Sequence, residues 1–162
     1  MTEIPTYGAI PIEEALKYSG FDFLCAIRDG KLPHPKIAST LDFRLVVVEK
    51  GFVAWEGIPK AEYFNPLGRV HGGWISTLLD SCMGCAGHTM IDAGYPYTSL
   101  DLKVNFTRGV MPDVGALRAE GRVVHAGRTM LSMEGRLVDT AGKIYAHGTS
   151  VCLVLDPPGK NK

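Results

Sequence analysis

The sequence predicts an α+β fold, an antiparallel β-sheet wrapped around one central α-helix, with a helical extension at the N-terminus. Three features of the 162-residue chain lead there. Segments with a two-residue hydrophobic period fall in two groups, a pair before Gly57 and four after Pro96, without the alternation of strand and helix that builds a doubly wound parallel sheet. Between the groups lies one run of helical period, in which Ile75, Leu78, Leu79, Cys82 and Ala86 form an apolar stripe. That run is apolar almost all round, with Asp80 the one charged residue between Arg69 and Asp92, which marks a buried helix.

Taken in order, residues 1–10 read as an irregular arm. Pro11 opens a helix whose first turn holds Glu13 and Glu14, and Gly20 is expected to break it. A second helix spans Phe21 to Asp29, followed by an extended Leu32-Pro33-His34-Pro35 with His34 at the surface. Leu41, Phe43, Leu45 and Val47 alternate as the inward face of a strand, Gly51 turns the chain, and Phe52 to Glu56 returns as a hairpin partner. Residues 57–70 are a long loop leading to the central helix, and a loop of that length is more often functional than idle. After the helix, Leu100, Leu102, Val104 and Phe106 mark one strand, and Leu117, Ala119, Gly121 and Val123 the next. Ala126-Gly127 reverses the chain, Thr129 to Val138 and Lys143 to Leu155 are the last strands, and the four are expected to form a meander. The boundaries that follow are 1–40 for the arm and extension, 41–155 for the main domain and 156–162 for a loose tail.

Composition narrows the function. Lys plus Arg equals Asp plus Glu at 17 each, so charge gives no reason to expect a nucleic acid or an anionic membrane as partner. The longest apolar runs fall far short of the roughly 18 residues of a membrane-spanning helix. The leading MTEIPTYGAIPIEE has no basic region followed by an apolar one, so no signal peptide and a cytoplasmic location are expected. Cys25, Cys82, Cys85 and Cys152 are expected to be free thiols. Cys82, Cys85 and His88 have a spacing that suits zinc, but a lone CxxC in mid-helix favours small thiols packed in a core, and no metal is expected.

The stretch Asn65 to Thr89 carries the chemistry. Turn residues Asn65, Pro66 and Gly68 run into His71-Gly72-Gly73, where the helix begins. A helix start has unpaired N–H groups and a partial positive charge, and glycines there let a ligand oxygen approach closely. A developing oxyanion is well served by such donors. A second stripe of the helix is small: Gly73, Thr77, Asp80, Gly84, Gly87. A carboxylate among such residues is costly unless it has a partner or a task. Two readings stand: a hydrolytic pair of oxyanion donor and carboxylate, or a tight turn followed by a paired core acid.

The pattern Asn65-x5-His71-Gly72-Gly73-x6-Asp80 resembles the signature of hotdog-fold acyl-CoA thioesterases, in particular the phenylacetate-pathway (PaaI-like) branch. Val104-Asn105-Phe106 and Gly121 to Arg128 follow at the family's spacing, and the likeness covers roughly residues 40–155. The resemblance implies that Gly72 N–H polarises the thioester carbonyl and that Asp80 acts as general base on water or as nucleophile. It implies that Asn65 holds the carbonyl or the attacking water and that His71 shapes the turn more than it moves protons. Gly73, Asn105, Arg108, Arg122, His125 and Arg128 are expected to bind substrate, the cations serving the phosphates of CoA. The implied partners are an acyl-CoA and further copies of the chain, in a homodimer or homotetramer with Asp80 of one copy facing Gly72 of another. No cofactor is implied. Trp74, Met83 and the helix from Phe21 to Ile27 are candidates to line the acyl pocket. In related aryl-CoA enzymes a hydroxyl often lies one turn after the carboxylate; here that position is Gly84, and neither Ser81 nor Thr77 aligns with it. A hydratase of the same fold needs a histidine near its acid, which Gly84 and Cys85 do not supply; a non-catalytic acyl-CoA sensor would not need Asp80.

Overall fold

The computed structural model describes residues 6–159, so the first five residues of the expected arm and the Lys-Asn-Lys end lie outside the described residues. Six strands form one antiparallel sheet: β1 (Phe43–Glu49), β2 (Phe52–Gly57), β3 (Tyr97–Phe106), β4 (Leu117–Ala126), β5 (Met130–Asp139) and β6 (Ile144–Val154). The spatial order is β1-β2-β4-β5-β6-β3. Only β4, β5 and β6 make a meander; the expected four-strand meander is corrected by β3, which crosses the sheet and pairs with β6 at the far edge. Helix α4 (Gly72–His88) lies across the concave face, and Leu78, Leu79, Cys82, Met83 and Ala86 are wholly enclosed. This is the hotdog arrangement.

The helix can lie so close because of three glycines. Gly121 pairs with Gly135, and Gly135 with Gly148, so they form a row across β4, β5 and β6 on the face beneath α4. A Cβ on Gly121 would overlap the Cys82 carbonyl, and one on Gly135 would stand 2.8 Å from Met83 Cγ. With no side chains in the row, the helix backbone rests on the strand backbone and Met83 fills the remaining space.

The described part of the N-terminal extension holds three short helices, α1 (Ile12–Ala15), α2 (Gly20–Arg28) and α3 (Lys36–Thr40). Gly20 does not break a helix; it begins α2, with Ser19 as cap accepting from Asp22 N–H at 3.2 Å. A Cβ on Gly20 would overlap the His88 carbonyl, so the glycine lets α2 meet the end of α4. Helix α3 was not foreseen; Pro35 fixes its entry, and five residues are too few to show a period. His34 is buried rather than at the surface, because the arm pairs with it: His34 N–H donates to Thr6 O at 2.8 Å and Gly8 N–H to His34 O at 2.9 Å.

Two bulges shift the inward faces. In β1 the register slips between Leu45 and Val47, so Val48 rather than Val47 is buried. In β3 it slips between Ser99 and Asp101, which takes Leu100 out of the inward set. As an edge strand β3 is barely covered by α4: Leu100 is 54% exposed, Leu102 39% and Phe106 54%. No helix among the described residues is long and apolar enough to cross a membrane.

Candidate active site

The loop before α4 is shaped by Asn65. Its Oδ1 accepts from Leu67 N–H at 2.9 Å and Arg69 N–H at 3.1 Å, and its own N–H donates to Arg69 O at 2.7 Å. The side-chain oxygen is thus spent on the turn, and the amide NH2 is what Asn65 has left to offer a ligand. His71 N–H donates to Tyr63 O at 2.8 Å, and its Nδ1 accepts from Gly73 N–H at 2.8 Å. His71 is therefore the N-cap of α4, with Nδ1 unprotonated. That bond consumes the Gly73 donor. Gly72 N–H, at the first helical position, has no acceptor among the described residues.

Gly72 opens onto a cleft of about 350 Å³ whose walls include Asn65, Arg69, Phe106 and Arg108. The Phe106 ring packs where a side chain at Gly72 would begin, with Cζ 3.0 Å from the position of a Cβ. Arg108 is held in place by Nε donating to Ile144 O at 3.1 Å. The structure thus brings Asn65, His71, Gly72, Gly73 and Arg108 together at the start of α4.

Asp80 stands elsewhere. It lies eight residues along α4 from Gly72, about 12 Å at roughly 1.5 Å per residue. One carbonyl cannot reach both within one chain. The side chain is half-buried, and no described residue forms an ion pair with it or donates a hydrogen bond to it, so it is not a paired core acid. Burial pushes its carboxyl above the ordinary 3.8. Its charge is felt, after burial itself, by Tyr97, Cys85 and Cys152, which mark its neighbourhood.

The remaining expected residues are dispersed. Asn105 is exposed on β3 opposite His147. His125 and Arg128 flank the β4–β5 turn, and Arg128 borders a cleft of about 580 Å³ with Asp92, Tyr95 and Asp156, at the end of α4 away from Gly72. Arg122 follows Gly121 and so projects from the outer face of the sheet, where its guanidinium lies 5.0 Å from the centre of the Phe52 ring. It is not brought together with Gly72. Trp74 and Met83 are core rather than pocket lining, Trp74 with Nε1 donating to Leu41 O at 2.8 Å. Burial pushes the Cys85 thiol up to about 12 and the His88 imidazole down to about 4, so Cys85 offers no thiolate. Among the described residues no group of three His, Cys, Asp or Glu is placed to hold a metal ion.

Thr77 Oγ1 donates back to Gly73 O at 2.9 Å, which ties it to its own helix. The hydroxyl beside Gly84 comes instead from Tyr97, whose Oη is 3.9 Å from the position of a Gly84 Cβ. Alternation counted back from Leu102 puts Thr98 on the inner face. The bulge at Ser99/Asp101 reverses that and turns Tyr97 inward, which no period could reveal.

Comparison with known proteins agrees with the fold. The family model described as the Thioesterase superfamily matches residues 67–146, which run from the Asn65 loop to β6. A protein of Saccharolobus solfataricus named "Putative esterase SSO2140" is 32% identical over 111 residues, 68% of this chain and 77% of that protein. Among solved structures, a phenylacetic acid degradation-related protein of Ralstonia eutropha JMP134 superposes with a TM-score of 0.73 at 26% identity, covering 80% of this chain and 98% of that one. The protein smu.793 of Streptococcus mutans UA159, solved with acetyl CoA bound, superposes with a TM-score of 0.61 at 28% identity, over 71% of this chain and 90% of that one.

Proposed function

The chain belongs to the thioesterase superfamily as a PaaI-like thioester hydrolase, and from that premise we propose that it hydrolyses a small aryl- or medium-chain acyl-CoA to the free acid and CoA. The observation that carries the mechanism is Asp80, an unpartnered, half-buried carboxylate on a helix that is otherwise apolar or small. Such a group is expensive to keep and suited to activating water or attacking carbon.

The thioester oxygen sits against the Gly72 N–H, where the end of the helix favours negative charge. Asp80 takes a proton from water, the water oxygen bonds to the carbonyl carbon, the C–S bond breaks, and the CoA sulfur leaves with that proton. If Asp80 attacks instead, an acyl-Asp80 anhydride forms and water opens it. A single turnover in ¹⁸O-labelled water tests the second route, because a first product acid without label, with ¹⁸O left in Asp80, arises only from an anhydride opened at the Asp80 carbonyl.

Because Gly72 and Asp80 of one chain are about 12 Å apart along the helix, the site is completed by a second copy. The edge strand β3, with Leu100, Leu102 and Phe106 exposed, is the surface that a second copy pairs with. His125 and Arg128, with Asn105, then serve the CoA moiety across that junction. The acetyl CoA bound by the Streptococcus mutans protein supports a CoA ester as substrate.

The test is thiol release from phenylacetyl-CoA, benzoyl-CoA and octanoyl-CoA, read with a chromogenic thiol reagent. At least one ester should turn over. Binding of all three without release would replace the enzyme with a sensor, and loss of enoyl-CoA ultraviolet absorbance without thiol release would replace it with a hydratase.

A further inference from the structure

Position 84, one turn past Asp80, is bare. Residues four apart on a helix are neighbours, with Cβ atoms about 5–6 Å apart, so whatever occupies the space over Gly84 stands beside the Asp80 carboxylate. The occupant is the Tyr97 hydroxyl, 3.9 Å from the position of a Gly84 Cβ. The tyrosine reaches it from another element, the first residue of β3, paired with Val154 of β6. Its ring is seated on the His88 ring with centroids 4.7 Å apart. The hydroxyl makes no hydrogen bond with any described residue, and none joins it directly to Asp80.

We infer that Tyr97 is a positioning residue that holds the attacking water against Asp80, supplying from β3 the hydroxyl that the helix lacks at Gly84. The inference rests on the proposed hydrolysis and deepens it. Water attacks with a lone pair, so both its hydrogens must be engaged elsewhere. Asp80 receives the one that is transferred, and Tyr97 Oη accepts the other, which leaves the lone pair aimed at the carbonyl carbon. Tyr97 stays protonated throughout, since burial first, and the charge of Asp80 among the lesser causes, push its ionisation well above the ordinary 10. The glycine and the tyrosine form a pair: a side-chain hydroxyl on the helix would compete with Tyr97 Oη for the same space.

The test uses the whole protein and the best acyl-CoA of the panel. Tyr97→Phe keeps the ring on His88, so melting temperature and KM should hold while kcat falls by about 10- to 100-fold, the cost of a misplaced reactant. Tyr97→Phe with Gly84→Ser restores a hydroxyl from the helix and should recover at least half of that loss on a logarithmic scale. A kcat for Tyr97→Phe within about twofold of the wild type overturns the inference. So does a rise in KM at constant kcat, which would make Tyr97 an acyl-group contact, and so does a folded double variant no faster than Tyr97→Phe. Asp80→Asn is run beside them: if it is inactive while Tyr97→Phe keeps the wild-type kcat, only the role of Tyr97 falls, whereas full activity of Asp80→Asn removes the proposed mechanism itself.

Discussion

Gly121→Ala tests whether α4 is seated on the glycine row. In a strand, alanine ordinarily stabilises relative to glycine by roughly 0.5–1 kcal/mol, because it restricts the unfolded chain. Here the added methyl would overlap the Cys82 carbonyl and stand 2.7 Å from Met83 N. Both belong to the helix backbone, which has no rotamer to give, and carbon atoms rest at about 3.5–4.0 Å. The helix must therefore lift by about 1 Å, which costs roughly 1–3 kcal/mol as overpacking and loosens the Met83 packing beneath it. Set against what alanine ordinarily contributes, net destabilisation should be about 1–2 kcal/mol, read as a lower urea midpoint at constant slope. Gly135→Ala should cost less, because its methyl meets the Met83 side chain, which can move. Lifting α4 also displaces Asp80, so kcat for Gly121→Ala should fall although the substitution touches no substrate. A Gly121→Ala protein as stable as the wild type would show that the contact between helix and sheet is not set by the row.

Three further outcomes follow from the site. Because burial raises the Asp80 carboxyl above 3.8, the folded state holds its proton longer than the unfolded chain does, and stability from this group is lost as pH rises; Asp80→Asn should melt higher than the wild type at neutral pH, with the difference vanishing below about pH 3.8. His88 has the opposite sign: its imidazole is pushed from 6.5 down to about 4, so the unfolded chain takes the proton first and stability present above pH 6.5 is lost as pH falls toward 4. That loss amounts to about 3 kcal/mol, and His88→Gln should flatten the acid limb of a urea-stability profile. Arg128→Ala should raise KM for CoA esters more than it lowers kcat, with the penalty shrinking as salt rises; an unchanged KM at low salt removes Arg128 from the CoA site.

The central helix and most strands were legible because their signals are local. The stripe Ile75, Leu78, Leu79, Cys82 and Ala86 is buried as its period implies, and the sheet around it follows from alternation and turn residues. The His71-Gly72-Gly73 start was legible for the same reason, since a helix begins where its cap and glycines permit. What the sequence hid depends on partners far away in the chain. Gly20 reads as a breaker until the His88 carbonyl is seen to crowd it. The crossing of β3 to the edge beside β6 is set by which strand it pairs with, not by its own residues. Tyr97 was hidden by a bulge, whereas Gly72 and Asp80 were legible as two turns apart on one helix. Arg122 was expected to serve the phosphates of CoA, yet alternation from Gly121 sends it to the outer face.

The claim most exposed to a direct measurement is that Gly72 of one copy and Asp80 of another make one site. Gly72→Pro removes the donor at a first-turn position whose backbone suits proline, the extended His71 before it having ψ 138°, and the Phe106 ring, 3.0 Å from the position of a Cβ, must shift to admit it. Losing an oxyanion donor costs roughly 10²–10³ in kcat, and losing Asp80 by Asp80→Asn roughly 10²–10⁴. Two such inactive proteins, unfolded together and refolded as a mixture, form mixed dimers in which one site keeps both its Gly72 donor and its Asp80. With random exchange about a quarter of wild-type thiol release should return, half the dimers being mixed and one of their two sites intact. A mixture that stays as inactive as its components, with mixed dimers demonstrated, would contradict a site shared between copies.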